Sequence, residues 1–157
     1  MSNLPEEMAQ IPGIQFIDHV AIAVKQGELD ATVKAYELMG FREMHREEVF
    51  GTDQVRESLM QIGDSKNLLQ LVEPLNDSSP VQKMIAKNGK GGFAHIGLRV
   101  QSAQAAFDAL KARGFNLVDK APRPGSRGTT VFFVHPKSRA DVAFGILYEI
   151  VEDPKDK

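Results

Sequence analysis

The sequence predicts an α+β chain built from two tandem copies of one strand–helix–three-strand unit, βαβββ twice over. Three observations predict it. Two histidine-led alternating runs, IDHVAIAV (17–24) and FAHIGLRV (93–100), have the period-two pattern of a half-buried strand. Each is followed by an amphipathic stretch that stops at Gly-Phe, once at Gly40-Phe41 and once at Gly114-Phe115. Each unit then closes on an apolar run with one polar interruption, LLQLVEP (68–74) and ILYEIVEDP (146–154). Repeated order, spacing and polar exceptions together mark a duplication.

In the first unit, Val20, Ile22 and Val24 alternate along the opening strand. Leu29, Val33 and Tyr36 then fall at helical spacing, and strands are expected at 41–49, 54–62 and 67–73. The second unit opens with Ile96, Leu98 and Val100. Its helix carries Ala103, Ala106, Phe107 and Leu110 on one face with Ser102 placed to cap it, and strands are expected at 115–119, 129–134 and 144–151. The modules are therefore 14–76 and 93–152. Between them lies a linker, 77–92, whose first part forms a short helix and whose end is glycine-rich; 1–13 and 153–157 are expected to be flexible tails.

Composition narrows the function. A chain of 157 residues fits one domain with a real core. A net charge of -2 and a pI of about 6.1 give no pull toward nucleic acid or an anionic membrane. The absence of cysteine excludes a disulfide scaffold, a thiolate metal site and a cysteine nucleophile. No apolar run approaches the ~20 residues of a membrane span. The N-terminal MSNLPEEMAQIPG is acidic, without the apolar core of a secretory signal or the arginines of a transit peptide, so a cytoplasmic location is expected.

Four polar residues sit on these apolar strands: His19 and His95 at the start of each unit, Gln70 and Glu149 on its last strand. Taken singly, each could face solvent or bond locally. Their matched positions suggest another outcome: two units packed about a pseudo-twofold axis would bring all four together. Two imidazole nitrogens, an amide oxygen and a carboxylate oxygen form a mixed donor set suited to a divalent metal. Coordination positions would remain open, unlike the filled shell of structural zinc. Glu73 and Glu152, third after the polar residue in each closing run, carry no role on sequence grounds.

With these motifs, from about Phe16 to Glu152, the chain resembles the glyoxalase/vicinal-oxygen-chelate (VOC) superfamily and, within it, the methylmalonyl-CoA epimerases. The segments EPLNDSSPVQKMI and PRPGSRG…FFVHPKS are similar to that family's. The resemblance implies a single VOC domain, 1–157, with a cupped mixed β-sheet around a metal site. The implied metal ligands are His19, Gln70, His95 and Glu149, with cobalt favoured and manganese, nickel or zinc acceptable. It also implies that Glu57, in VRE (55–57), is a catalytic base, and that Glu149 can act as acid or base as well as ligand. A homodimer is implied, as is a reaction that removes the C2 proton of methylmalonyl-CoA and returns it to the other face through a metal-stabilised enolate.

The superfamily offers alternatives: a glyoxalase-type lyase, an extradiol-type dioxygenase, or a binding module without catalysis. The presence of both Gln70 and Glu57 favours the epimerase. Coenzyme A brings phosphates, and Arg123, Arg127 and Lys137, around the glycine-rich PRPGSRG, are the candidate contacts. His45 and His135 are not read as ligands. The family commonly has two adjacent histidines where this chain has Ala94-His95, and the stretch from Lys137 to Glu149 is longer than the family's, which bears on acyl-chain specificity.

Overall fold

A computed structural model describes residues 13–154. The expected tails therefore lie outside the described residues, save Gly13, Asp153 and Pro154. Among the described residues nine strands and three α-helices make up the α+β fold that the sequence predicts, with one two-residue strand, Arg123–Pro124, beyond the eight expected. The chain divides into two compact units, one spanning residues 17–97 and the other made of residues 98 onward with those before 17. No helix among the described residues is long and apolar enough to cross a membrane.

The first unit runs β1 (Ile14–Ala23), α1 (Leu29–Leu38), β2 (Arg42–Val49), β3 (Val55–Gln61) and β4 (Leu68–Pro74), then α2 (Pro80–Asn88) and β5 (Gly92–Val100). Its strands lie side by side in the order β2-β3-β4-β1-β5. β1 and β4 are parallel, while β2-β3 and β3-β4 are antiparallel. Registers Ala21↔Gln70↔Leu59 and Val72↔Glu57 decide which side chains share a face. One face carries Ile22, Val24, Met60, Leu69 and Leu71, and α1 packs there through Leu29 and Val33. The other carries His19, Ala21, Gln70, Val72 and Glu57, with α2 covering part of it through Ile85, Val81 and Met84. His19 therefore faces away from Val20 and Ile22, as strand alternation requires.

The second unit contains α3 (Ala103–Ala112), β6 (Phe115–Leu117), the two-residue β7 (Arg123–Pro124), β8 (Thr130–Arg139) and β9 (Tyr148–Glu152). Here α3 lays Ala103, Ala106 and Phe107 on Phe132, Val134 and Ile150. The Phe133↔Glu149 register puts Glu149 on the face away from that helix, the same parity as Gln70 in the first unit. Both helices stop where the sequence placed their glycines, with Gly40 and Gly114 at φ +107° and +81°. β9 begins later than the expected 144–151 because β8 runs on to Arg139. The chain returns through a compact turn closed by Arg139 N–H to Val142 O and Gly145 N–H to Pro136 O, both 3.0 Å.

The repeated glutamates that the sequence left without a role hold the helices. Glu28, at the start of α1, makes no side-chain cap. Instead Glu73, reaching from β4, accepts the Leu29 N–H at 3.1 Å and also meets Arg56 at 3.3 Å. In the second unit Glu152, from β9, accepts the Ala103 N–H at 2.7 Å, beside the Ser102 cap on Ala105 N–H. Each satisfies a backbone donor that a helix N-terminus leaves over, and its negative charge suits the positive end of the helix dipole. Replacing Glu73 or Glu152 by alanine is expected to lower the unfolding free energy by about 1–2 kcal/mol in urea titrations; a loss of only a few tenths would show that the caps contribute nothing.

Candidate metal centre and active site

On adjacent strands β1 and β5, the His19 and His95 rings meet edge to face, with centroids 5.2 Å apart and planes at 81°. Their Nε2 atoms lie 3.1 Å from each other, and both residues are buried. Asp18 is fully buried, and its carboxylate stands 2.7 Å from His19 Nδ1. A carboxylate accepts there, so the proton sits on Nδ1 and the Nε2 lone pair points toward His95. This carboxylate–imidazole arrangement is the one that orients metal-ligating histidines.

The close approach of the two rings depends on Gly97. A Cβ at that position would fall 2.2 Å from His19 Cε1 and 2.7 Å from its Nε2. The bare backbone of β5 forms the cradle in which the ring lies. Gly97 corresponds in the sequence repeat to Ala21, so the position where the second copy of the motif drops a methyl group is the one that makes room for the histidine of the first copy.

Gln70, 8% exposed, shares the face with His19, and its Oε1 is buried with no hydrogen-bond partner. Leaving such an acceptor unsatisfied costs on the order of 1–3 kcal/mol, which a ligand contacting this oxygen would offset. Glu57, 2% exposed, is on the same face of β3, diagonally across from Gln70 on β4. Glu149 is buried on β9, paired with Phe133.

These residues fit a divalent ion. With metal–nitrogen bonds of ~2.1 Å, donors at neighbouring octahedral corners are about 3.0 Å apart and those at tetrahedral corners about 3.4 Å. The Nε2 pair, at 3.1 Å, has the spacing of two ligands on one ion. A partnerless buried amide oxygen on the same face supplies a further hard donor.

The three basic residues read as phosphate contacts differ in their surroundings. Arg123 Nε donates to Asp119 Oδ1 at 2.7 Å and its guanidinium lies 5.5 Å from the Phe133 ring centroid, while the other Asp119 oxygen accepts the Phe133 N–H. Arg127 has a left-handed backbone, φ 57°, in the short turn Ser126–Gly128. Lys137 is exposed on β8.

A sequence profile of the Glyoxalase/Bleomycin resistance protein/Dioxygenase superfamily matches residues 18–133. The methylmalonyl-CoA epimerase of Dictyostelium discoideum, a mitochondrial protein, is 32% identical over 149 residues, covering 89% of this chain and 80% of that one. The chain belongs to the methylmalonyl-CoA epimerase family of that superfamily. The ethylmalonyl-CoA/methylmalonyl-CoA epimerase of Cereibacter sphaeroides is 31% identical across 77% of this chain and 88% of its own. Among solved structures, a variant of the Streptomyces coelicolor methylmalonyl-CoA epimerase, in complex with 2-nitronate-propionyl-CoA, is 34% identical. It superimposes with a TM-score of 0.79, covering 90% of this chain and 99% of that one. Membership in the epimerase family makes the chain an enzyme of the racemase and epimerase class.

Of the residues that the sequence pointed to, His19 and His95 lie side by side, with Gln70 and Glu57 on the same face of the sheet; Asp18 and Gly97, which adjoin them, were not expected there. The signal for Gly97 was present as a glycine inside an apolar strand, which marks close backbone approach. Gly97→Ala is expected to displace the His19 ring and lower cobalt(II) affinity, measured by calorimetry, by roughly 10–100-fold. Unchanged affinity would remove Gly97 from the site.

Proposed function

We propose that this enzyme interconverts the 2R and 2S forms of methylmalonyl-CoA by removing the C2 proton and returning it to the opposite face. The observation that carries the reading is the buried face of the first unit. It holds two imidazole nitrogens at 3.1 Å, an amide oxygen without a hydrogen-bond partner and a buried carboxylate. In this reading His19, Gln70, His95 and Glu149 hold a divalent ion, cobalt favoured over manganese, nickel or zinc. When bound, that ion supplies Lewis acidity to the substrate's oxygens and so favours loss of the C2 proton.

The chain's own residues do the rest. Glu57 takes the C2 proton on one face of the substrate, becoming a neutral acid as the C2 carbanion delocalises into the thioester as an enolate. Glu149, besides its part in holding the ion, is the acid that delivers a proton to the other face. In the reverse direction their roles exchange, as the equivalence of the two epimers demands. The surroundings of Glu57, built from Val55, Leu59 and Val72, keep water from quenching the carbanion. Gln70, being neutral, leaves the four ligands with a single negative charge, so the ion remains more electrophilic than two carboxylates would allow.

Arg127 and Lys137 are assigned to the coenzyme A phosphates, and Arg123 is assigned to them as well, its guanidinium anchored by Asp119. A symmetric homodimer in the cytoplasm completes the reading.

The test is isotopic. Cobalt-loaded protein incubated with (2R)-methylmalonyl-CoA in heavy water is expected to incorporate deuterium at C2. Chelation should abolish this, and Glu57→Gln should slow it by roughly 10²–10⁴-fold. Exchange that persists undiminished in Glu57→Gln would overturn the assignment of the base. Absence of exchange in the wild-type protein would overturn the epimerase reading.

A further inference from the structure

β2 runs antiparallel to β3 in a register that sets Glu47 directly opposite Glu57. Residues so opposed share a face, their Cβ atoms about 4.5–5.5 Å apart, and like charges in that position are destabilising. The opposition is therefore a cost that packing alone does not explain. Two residues before Glu47 on the same face stands His45, whose Nε2–H donates to Glu47 Oε1 at 2.8 Å. Exposure rises along this line. Glu57 is 2% exposed, whereas the side chains of Glu47 and His45 are 34% and 33% exposed.

Two arginines on these strands reach to the other face. Arg46 pairs with Asp30 and with Glu43, and Arg56 pairs with Glu48 and Glu73, all on the α1 side of the sheet. The face shared by Glu47 and Glu57 carries His45 on β2, neutral Gln70 on β4, His19 on β1 and His95 on β5. A buried base opposite a half-buried carboxylate, itself held by a histidine at the protein surface, is a path from the protein interior to water.

We propose that Glu47, held by His45, is the port through which the proton taken by Glu57 exchanges with solvent. The proposal rests on the epimerase reading above. Glu57, having accepted the C2 proton, passes its O–H proton to the carboxylate of Glu47 across the strand pair. Glu57 is again a carboxylate, Glu47 is briefly the neutral acid, and Glu47 releases the proton to water. One proton crosses, no electrons change hands, and His45 keeps its Nε2 proton throughout. Glu47 touches no substrate; it is a positioning residue that acts through Glu57. It sets how often the proton on Glu57 is traded for a solvent proton before the enolate collapses.

The experiment measures a ratio that overall activity cannot move. Cobalt-loaded wild-type, Glu47→Gln and His45→Asn proteins are each given (2R)- and, separately, (2S)-methylmalonyl-CoA in heavy water. Deuterium in recovered substrate of the starting configuration is then compared with the amount epimerised. Deuterium enters recovered substrate only when the base that removed the proton has exchanged with solvent. For the one configuration deprotonated by Glu57, the ratio should fall by roughly tenfold in Glu47→Gln. It should fall by a smaller factor in His45→Asn, which keeps both carboxylates. For the other configuration it should not change.

An unchanged ratio in both variants, or an equal fall for both configurations, would overturn the proposal. So would wild-type protein that returns only the original proton. A wild-type protein that neither epimerises nor exchanges the substrate is a distinct observation, which rejects the epimerase reading and this proposal with it.

Discussion

Two imidazole nitrogens held 3.1 Å apart in a buried interior are the constraint around which the first unit is arranged. Once Asp18 accepts the hydrogen bond from His19 Nδ1–H, the facing lone pair of Nε2 needs a proton or a cation before it. The chain gives up a side chain at Gly97 to let the ring in, and leaves the Gln70 oxygen without a hydrogen bond beside it. Each of these choices costs stability in isolation. Together they describe a site that could hold a cation, and an ion bound to the folded state would recover that cost.

The duplicated closing run has a simple geometric logic. Side chains alternate across a strand, so residues three apart face opposite sides. Gln70 and Glu149 face away from their units' helices, while Glu73 and Glu152 face them and bind the first backbone N–H groups. One short motif thus serves two surfaces: it carries a polar side chain on one and anchors a helix on the other. Duplicating the unit duplicates both, which is why the two runs agree in their third-position glutamate while differing in the polar residue on the opposite face.

The features legible in the sequence were those that periodicity and repetition encode. The order of strands and helices, the glycine stops at Gly40 and Gly114, and the parity of His19, Gln70 and Glu149 all follow from two-residue and 3.6-residue spacing. Features set by register or by contacts between distant segments were not legible. No local pattern says that Glu73 will meet Leu29, that Gly97 will underlie His19, or that Glu47 will oppose Glu57, because each depends on which strands pair and with what offset. The extension of β8 past the expected 129–134 to Arg139 escaped for a related reason: the turn that follows supplies its own hydrogen bonds through Gly145 and Ser138.

In the proposed site His19, Gln70, His95 and Glu149 bind one ion, each through a single donor atom. A crystal of the cobalt-loaded protein, with diffraction recorded on both sides of the cobalt absorption edge, tests it most directly. One anomalous peak at bonding distance, ~2.1 Å, from both Nε2 atoms and from the oxygens of Gln70 and Glu149 is the expected result. A peak bound elsewhere, or one that leaves the Gln70 oxygen without a bond to cobalt, would contradict it.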